Sequence, residues 1–379
     1  MVDVLLVSPT AAPGGSERAL VGLATRLPDY RLTCRVLLLE HGPFEEWLGK
    51  ANLAVDVIPM GRTRHLWRTA AVVTELRRRC QDVSVVVANQ SKAQAIAGLA
   101  AVTTRTPCVW WQHGIPTRSP IELSAALLPS AAVVCGSTVA ARAQKRLTPR
   151  RRVEQIAPGV DLTSIRRWSG TGATIREHYG LFGRPLVGIV ARLQPGKGQE
   201  LFLRAAALLA TSIPRVRFLV IGGAVLGWEG DYPESLRRLA ESLGIADRVT
   251  FTGHQDNVYP WFDALDVAVT ASEGDAFGLV TVEALALGRP VVGVRSAGTA
   301  EILEDGYSGI LVPPDEPDAM AQAIASILID DALSSRLRSG AAERALWYSD
   351  ATMAKQFADL IHDVAKLSPQ PPSAKPSSR

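Results

Sequence analysis

Cysteine is scarce in this sequence. Only four of 379 residues are cysteines, at Cys34, Cys80, Cys108 and Cys135, and their spacing is neither paired nor metal-like. That argues against a disulfide scaffold or a zinc knuckle. Three of them sit in apolar, strand-like runs, so buried reduced thiols in a cytosolic setting are expected. No apolar run approaches the roughly 18 residues that a membrane span needs. The start, MVDVLLVSPT, has no basic segment ahead of its short apolar run and reads as a first strand, not as a signal peptide. The glycine fingerprint GxGxxG is absent, which disfavours a nicotinamide oxidoreductase. No interleaving of basic and aromatic residues points to nucleic acid.

What remains has the composition of a globular enzyme, 47% hydrophobic and 21% charged. The length exceeds one ordinary core and implies two domains. The net charge of +4 is unevenly spread: residues 1–160 hold 20 Lys and Arg against 11 Asp and Glu, and the remainder 21 against 26. Basic clusters lie at RTRHLWR (62–68), LRRRC (76–80) and TPRRRVE (148–154). A positive first half suits an anionic acceptor, or peripheral contact with the inner face of an anionic membrane. The same arginines also fit plain solvated faces.

Short Val-, Ile- and Leu-rich runs alternate with longer amphipathic ones, the rhythm of a parallel sheet with crossover helices. Strands are expected near 3–8, 33–39, 55–58, 83–88, 107–111 and 131–135. Helices over 16–27, 65–80, 91–101 and 137–147 lie between them. The pattern restarts at RPLVGIVAR (184–192), with strands near 216–221, 248–252, 265–270, 290–294 and 309–312. The rhythm pauses over a Gly-, Pro- and Arg-rich join (156–185). The expectation is two doubly wound, Rossmann-like α/β domains, 1–170 and 171–349. An amphipathic helix at 350–367 and a Pro/Ser-rich disordered tail at 368–379 follow. Ligands of such sheets bind outside the carboxyl ends of the strands, so a cleft between the domains is the expected site.

Several segments carry candidate chemistry. In VSPTAAPGGSERAL a strand ends and Gly14 and Gly15 lead into a helix, where backbone and free amides can approach an anion. In GIVARLQPGKGQ, Arg192 and Lys197 follow a strand end, two cations suited to a diphosphate. This is not a Walker loop, because no Ser or Thr follows the lysine. VWWQHG puts His113 just past another strand, where it can donate to a sugar hydroxyl or steady a carbonyl. A structural histidine fits as well. Gly253 and His254 follow the strand of VTFTGH, in a loop able to read a base through backbone groups; a short helix over 257–262 comes next. ASEGDAFGLVTVEALALGRPVV sets Glu273, Asp275 and Glu283 around the start of a helix near Phe277 and Gly278. The helix amides favour an anion, and Glu283, among apolar neighbours, needs a partner such as a ribose diol.

Taken in order, PGGSERAL, WQHG, APGVDL, ARLQPGKG, FTGH, EGDAFGLVTVEALALGRPVV and SAGTAEILEDGYSGILVPP resemble the retaining glycosyltransferases of family four. The resemblance covers the chain to about residue 367. It implies the GT-B fold: two Rossmann-like domains facing across a cleft, with the last helix crossing back to the first domain. It implies a substrate, not a cofactor, as the nucleotide: a UDP-, GDP- or ADP-sugar. Arg192 and Lys197 would hold the diphosphate and neutralise the leaving group. Glu283 would bind the ribose, and Asp275 with the backbone of Ala276, Phe277, Gly278 and Leu279 the donor sugar. His113 would sit at the reacting sugar, and Gly14 and Gly15 would line the phosphate and acceptor side. The family's hallmark is two glutamates separated by seven residues. Here the first is Asp275, with the charge kept and the reach one methylene shorter. Metal is usually not required by such enzymes, and no clear DxD motif is present.

The expected reaction is transfer of a sugar to an acceptor hydroxyl with retention, giving an α-linkage. The acceptor would be a sugar, a glycolipid or a small molecule. Alternatives are a sugar-nucleotide epimerase, a phosphorylase, and a non-catalytic sugar-nucleotide-binding subunit.

Overall fold

The computed structural model describes residues 2–61, 66–224, 230–296 and 298–366. The basic residues at 62–65 and the expected tail at 368–379 lie outside the described residues. The chain divides into two compact units: Met1–Gly159 with the residues from Asp350 onward, and Val160–Ser349.

The first unit is built on seven parallel strands: β1 (Val2–Ser8), β2 (Leu32–Leu38), β3 (Val55–Val57), β4 (Val85–Asn89), β5 (Cys108–Gln112), β6 (Ala132–Cys135) and β7 (Val153–Gln155). Their spatial order is β3-β2-β1-β4-β5-β6-β7. Central strands such as β4 and β5 are buried along their whole length, as a sheet covered on both faces requires. The last helix, Asp350–Lys366, belongs to this unit. It buries Met353, Ala354, Phe357, Ala358, Ile361 and Val364, the three-and-four spacing of a single helical face. Gly22 sits beneath it, where an added Cβ would lie 3.4 Å from the Asp350 Cβ. Arg26 Nε donates to Asp350 at 3.0 Å and clamps the helix start to the helix Gly15–Arg26.

The second unit holds six parallel strands: β8 (Leu186–Val190), β9 (Arg217–Ile221), β10 (Val249–Gly253), β11 (Val267–Thr270), β12 (Val291–Val294) and β13 (Gly309–Val312), ordered β10-β9-β8-β11-β12-β13. Its core is made by Phe202, Leu203, Phe218, Val269, Val292, Met320 and Ile324, among others.

The expected boundary at 170 is corrected to 159. Val160 N donates to Tyr348 O at 2.9 Å, Arg166 reaches Ala342 O at 3.2 Å, and the helix Leu162–Arg166 packs on the helix Leu279–Ala286. These contacts bind 160–170 to the second unit. Within the join a helix forms over Gly172–His178, where the α/β rhythm was read as paused. The short helix expected over 257–262 runs over Tyr259–Ala264.

Candidate active site

In both units the strand order reverses once, between β1 and β4 in the first and between β8 and β11 in the second. Loops leaving such a switch point diverge and open a crevice at the carboxyl edge of the sheet. Most of the candidate residues lie on these loops.

In the second unit, β8 ends at Val190 and the chain turns through Arg192, Lys197 and Gly198 into the helix Gln199–Ser212. Gly198 has φ +77°, and a Cβ there would stand 2.2 Å from Ala271 O, the residue that follows β11. Gln199 is buried and donates to Arg192 O at 2.9 Å, which fixes the backbone of the turn. The Arg192 side chain is exposed. Lys197 forms an ion pair with Asp275, its own side chain only 16% exposed. The two turns are stitched together: Ser272 Oγ and Glu273 N both donate to Gly196 O, at 3.2 and 3.3 Å. Gly198→Ala is therefore expected to lower the melting temperature. Left-handed backbone alone costs a non-glycine residue about 1–2 kcal/mol, and Ala271 must also move. A melting curve of the variant checks this.

After β11 the chain passes Asp275, Ala276 and Phe277 to Gly278, whose φ of +94° caps the helix Leu279–Ala286. Phe277 is packed edge-on against Tyr348, centroids 5.5 Å apart. Gly298 backs the loop: a Cβ there would lie 2.1 Å from Phe277 O, and Gly298 N donates to Asp275 O at 3.2 Å. The loop is thus held from behind, with the free amides of the helix start at its end. Glu283 lies on this helix, 2% exposed and already partnered within the protein. Gly253 (φ +70°) closes β10. His254 beyond it is a surface group 3.5 Å from Asp256.

In the first unit, β1 ends at Ser8 and Gly14 precedes the helix Gly15–Arg26. A Cβ on Gly14 would lie 2.8 Å from a Glu17 carboxylate oxygen. Glu17 is 3% exposed and accepts from Thr10 Oγ1 at 3.0 Å, Ser16 Oγ at 2.8 Å and Gln90 Nε2 at 3.0 Å. Gln90 follows β4 with φ +73°, a conformation that non-glycine residues seldom adopt and that clusters at functional sites. His113 follows β5. Its Nε2 lies 2.6 Å from Asn89 Oδ1, its ring rests on Trp111 with centroids 4.5 Å apart, and Trp111 packs on Phe357. Desolvation pushes the His113 pKa down to about 3, so the ring is neutral.

Residues 13–164 match the family model "Glycosyltransferase Family 4" and residues 173–344 the model "Glycosyl transferases group 1". The chain belongs to the family-four glycosyltransferases. Anabaena HepE, crystallised with UDP and glucose, is 25% identical with a TM-score of 0.86 over 96% of this chain and all of that one, and the fold is GT-B. A D-inositol 3-phosphate glycosyltransferase of Streptomyces bingchenggensis is 34% identical over 56% of this chain and 48% of its own length. A GDP-mannose-dependent phosphatidylinositol monomannoside mannosyltransferase of Mycolicibacterium smegmatis is 36% identical over 48% of each. The chain spans about half the length of these curated relatives.

Ser8, Glu17, Asn89 and Gln90 were missed in the sequence. Glu17 and Gln90 lie 73 residues apart, and only the placement of β4 beside β1 brings them together. A signal existed for one structural element: SPIE at 119–122 is the capping box, with Pro at the first position, of an unread helix, Pro120–Leu127.

Proposed function

We propose that the protein is a retaining glycosyltransferase that moves a sugar from a nucleoside-diphosphate sugar to an acceptor hydroxyl, forming an α-glycosidic bond. The observation that carries the reading is the second unit's switch point: a cation turn after β8 and a glycine-capped helix start after β11, cross-linked through Gly196 and Gly198. Such a pairing of cations and backbone amides suits a diphosphate. HepE, crystallised with UDP and with UDP-glucose, supports a UDP-sugar donor. A GDP- or ADP-sugar fits the same chemistry, and one relative is named for GDP-mannose. Inositol phosphate, named in other relatives, is the first acceptor to try, ahead of sugars and glycolipids.

In this reading Arg192 and Lys197 hold the diphosphate, Glu283 takes the ribose, and Asp275 with the backbone of 276–279 takes the donor sugar. Gly253 and His254 flank the base, Gly14 and Gly15 serve the acceptor side, and His113 meets a substrate hydroxyl. The acceptor oxygen attacks the anomeric carbon on the face from which the diphosphate leaves. The carbon–oxygen bond to the β-phosphate breaks, its electron pair stays with the diphosphate, and the departing phosphate oxygen takes the acceptor proton. Two side-chain cations and the helix amides stabilise the developing charge, so turnover is expected to survive chelation.

Peripheral membrane contact is left out of the proposal. Arg78 and Arg79 pair with Glu75, Arg79 also with Asp56, and Arg152 with Glu154 and Asp363, so these groups are neutralised within their own unit. Among the described residues no helix is long and apolar enough to cross a membrane.

A panel of nucleotide sugars tests the reading. The right donor at a hundred times its dissociation constant adds about 2.7 kcal/mol to stability, visible as a raised melting temperature. Product analysis with candidate acceptors must then show a new α-linkage. If no nucleotide sugar shifts the melt, or if the product is the β-anomer, the proposal fails.

A further inference from the structure

Asn89 is the residue before the helix Gln90–Thr104, a position where asparagine ordinarily caps the helix with its side chain. Here it makes no capping bond. The side chain is buried, 1% exposed, and both ends are used elsewhere: Nδ2 toward Ser8 Oγ at 3.4 Å, and Oδ1 toward His113 Nε2 at 2.6 Å. A local rule broken at a buried position, next to the left-handed Gln90, marks a residue placed for another purpose.

The hydrogen bonds fix the direction of each group. Ser8 Oγ donates its one proton to Thr10 O at 3.2 Å, so toward Asn89 it can only accept. The Asn89 amide nitrogen must therefore face Ser8, and its carbonyl oxygen must face His113. A carbonyl accepts only, so His113 Nε2 carries a proton. In a neutral imidazole the other nitrogen, Nδ1, then bears a lone pair, and it has no hydrogen bond among the described residues. Trp111 under the ring, itself packed on Phe357, holds its plane.

We propose that Asn89, oriented by Ser8, is a positioning residue that locks His113 in the Nε2–H form and presents Nδ1 as an acceptor for a substrate hydroxyl. Donation by His113, expected from sequence, is thereby replaced by acceptance. The lock itself stands on this geometry; only its use on a substrate hydroxyl rests on the glycosyl-transfer reading.

The test uses the full chain labelled with 15N-histidine and no substrate. Long-range proton–nitrogen correlations report which ring nitrogen is protonated, and the His113 signals are those lost in His113→Gln. A protonated Nε2 and bare Nδ1 at neutral pH are expected. Ser8→Ala, which frees the amide to turn, and Asn89→Leu should both drift toward a mixture of tautomers. Asn89→Asp, which keeps an acceptor opposite Nε2, should not. Ser8→Ala is the mildest change and carries the test if Asn89→Leu does not fold. An Nδ1–H tautomer or an imidazolium in the parent, or an unaltered tautomer in Ser8→Ala, overturns the proposal. With a turned-over donor, Ser8→Ala should lower kcat about 10- to 100-fold, the range for groups that orient a functional imidazole, with donor KM little changed. The expected tautomer in a protein that turns over no nucleotide sugar would sink the glycosyl-transfer reading and leave the lock standing.

Discussion

Lys197→Ala is expected to lower kcat at least about a hundredfold, the scale of removing one preorganised electrostatic contact to a developing charge, and Arg192→Ala to do the same. The two side chains start from different states. Arg192 is exposed, so it has to be immobilised by the ligand, and its contribution should weaken with salt. Lys197 is held by Asp275, with little of its surface in water, so its charge is already placed. Its loss can act in two ways: through the leaving diphosphate, or by leaving Asp275 unneutralised beside an anionic donor. The double variant Lys197→Ala/Asp275→Asn separates them. If Lys197 acts on the diphosphate, the double variant is much slower than Asp275→Asn alone; if it only neutralises Asp275, the double variant and Asp275→Asn turn over alike. Steady-state kinetics of the four proteins decide, and near-parental kcat in both single cation variants removes the diphosphate assignment.

The ion pair also bears on Asp275 standing where the family has glutamate. Its carboxylate is engaged with Lys197, so in this structure the shorter side chain neutralises a cation from the facing turn. Asp275→Glu, with one more methylene, is the substitution that asks whether reach or charge matters at this position.

How far the sequence carried depended on the range of the contacts involved. Strands with continuous apolar runs, such as VVVAN at β4 and RFLVI at β9, announce themselves because they are buried on both faces. β7, three residues of which only Val153 is apolar, has no such signature and exists because it pairs with β6. Arg192, Lys197 and Gly278 were legible because cations, glycines and helix starts follow strands within a few residues. The Lys197–Asp275 pair and the Ser8–Asn89–His113 chain were not, since each joins segments that meet only through strand order. The domain boundary failed for a similar reason: the Gly- and Arg-rich join looked like a linker, yet it is anchored by Tyr348 O and Ala342 O, far along the chain.

The largest expected loss of stability falls at the opposite edge of the second sheet. Arg289, in the Gly-Arg-Pro turn that leads into β12, donates to Leu287 O, Asp263 O and Leu265 O at 3.0–3.1 Å and to Asp263 Oδ1 at 3.3 Å. Burial pulls its pKa below the ordinary arginine value, with Arg338 nearby adding to the effect, but guanidinium remains charged at any working pH. Asp263, whose side chain is 6% exposed, also accepts from Gly172 N at 2.8 Å. It thereby seats the helix Gly172–His178, whose Arg176 ties Ala264 O, Arg184 O and Asp266 together. Arg289→Leu keeps apolar bulk but takes the guanidinium from the Asp263 carboxylate and from three backbone carbonyls. Removing one partner of a buried pair costs about 3–5 kcal/mol, and the lower end applies because Gly172 N still donates to Asp263. For a unit of this size, 3 kcal/mol lowers the melting temperature by about 6–12 °C. Arg289→Leu/Asp263→Leu should recover part of the loss, since no charge is then left buried without a partner. These residues sit at the amino ends of the strands, so turnover per folded molecule should be unchanged at a temperature well below the new melt. A melt within about 1 °C of the parent would mean that water reaches Asp263 and that the pair contributes no more than a surface salt bridge.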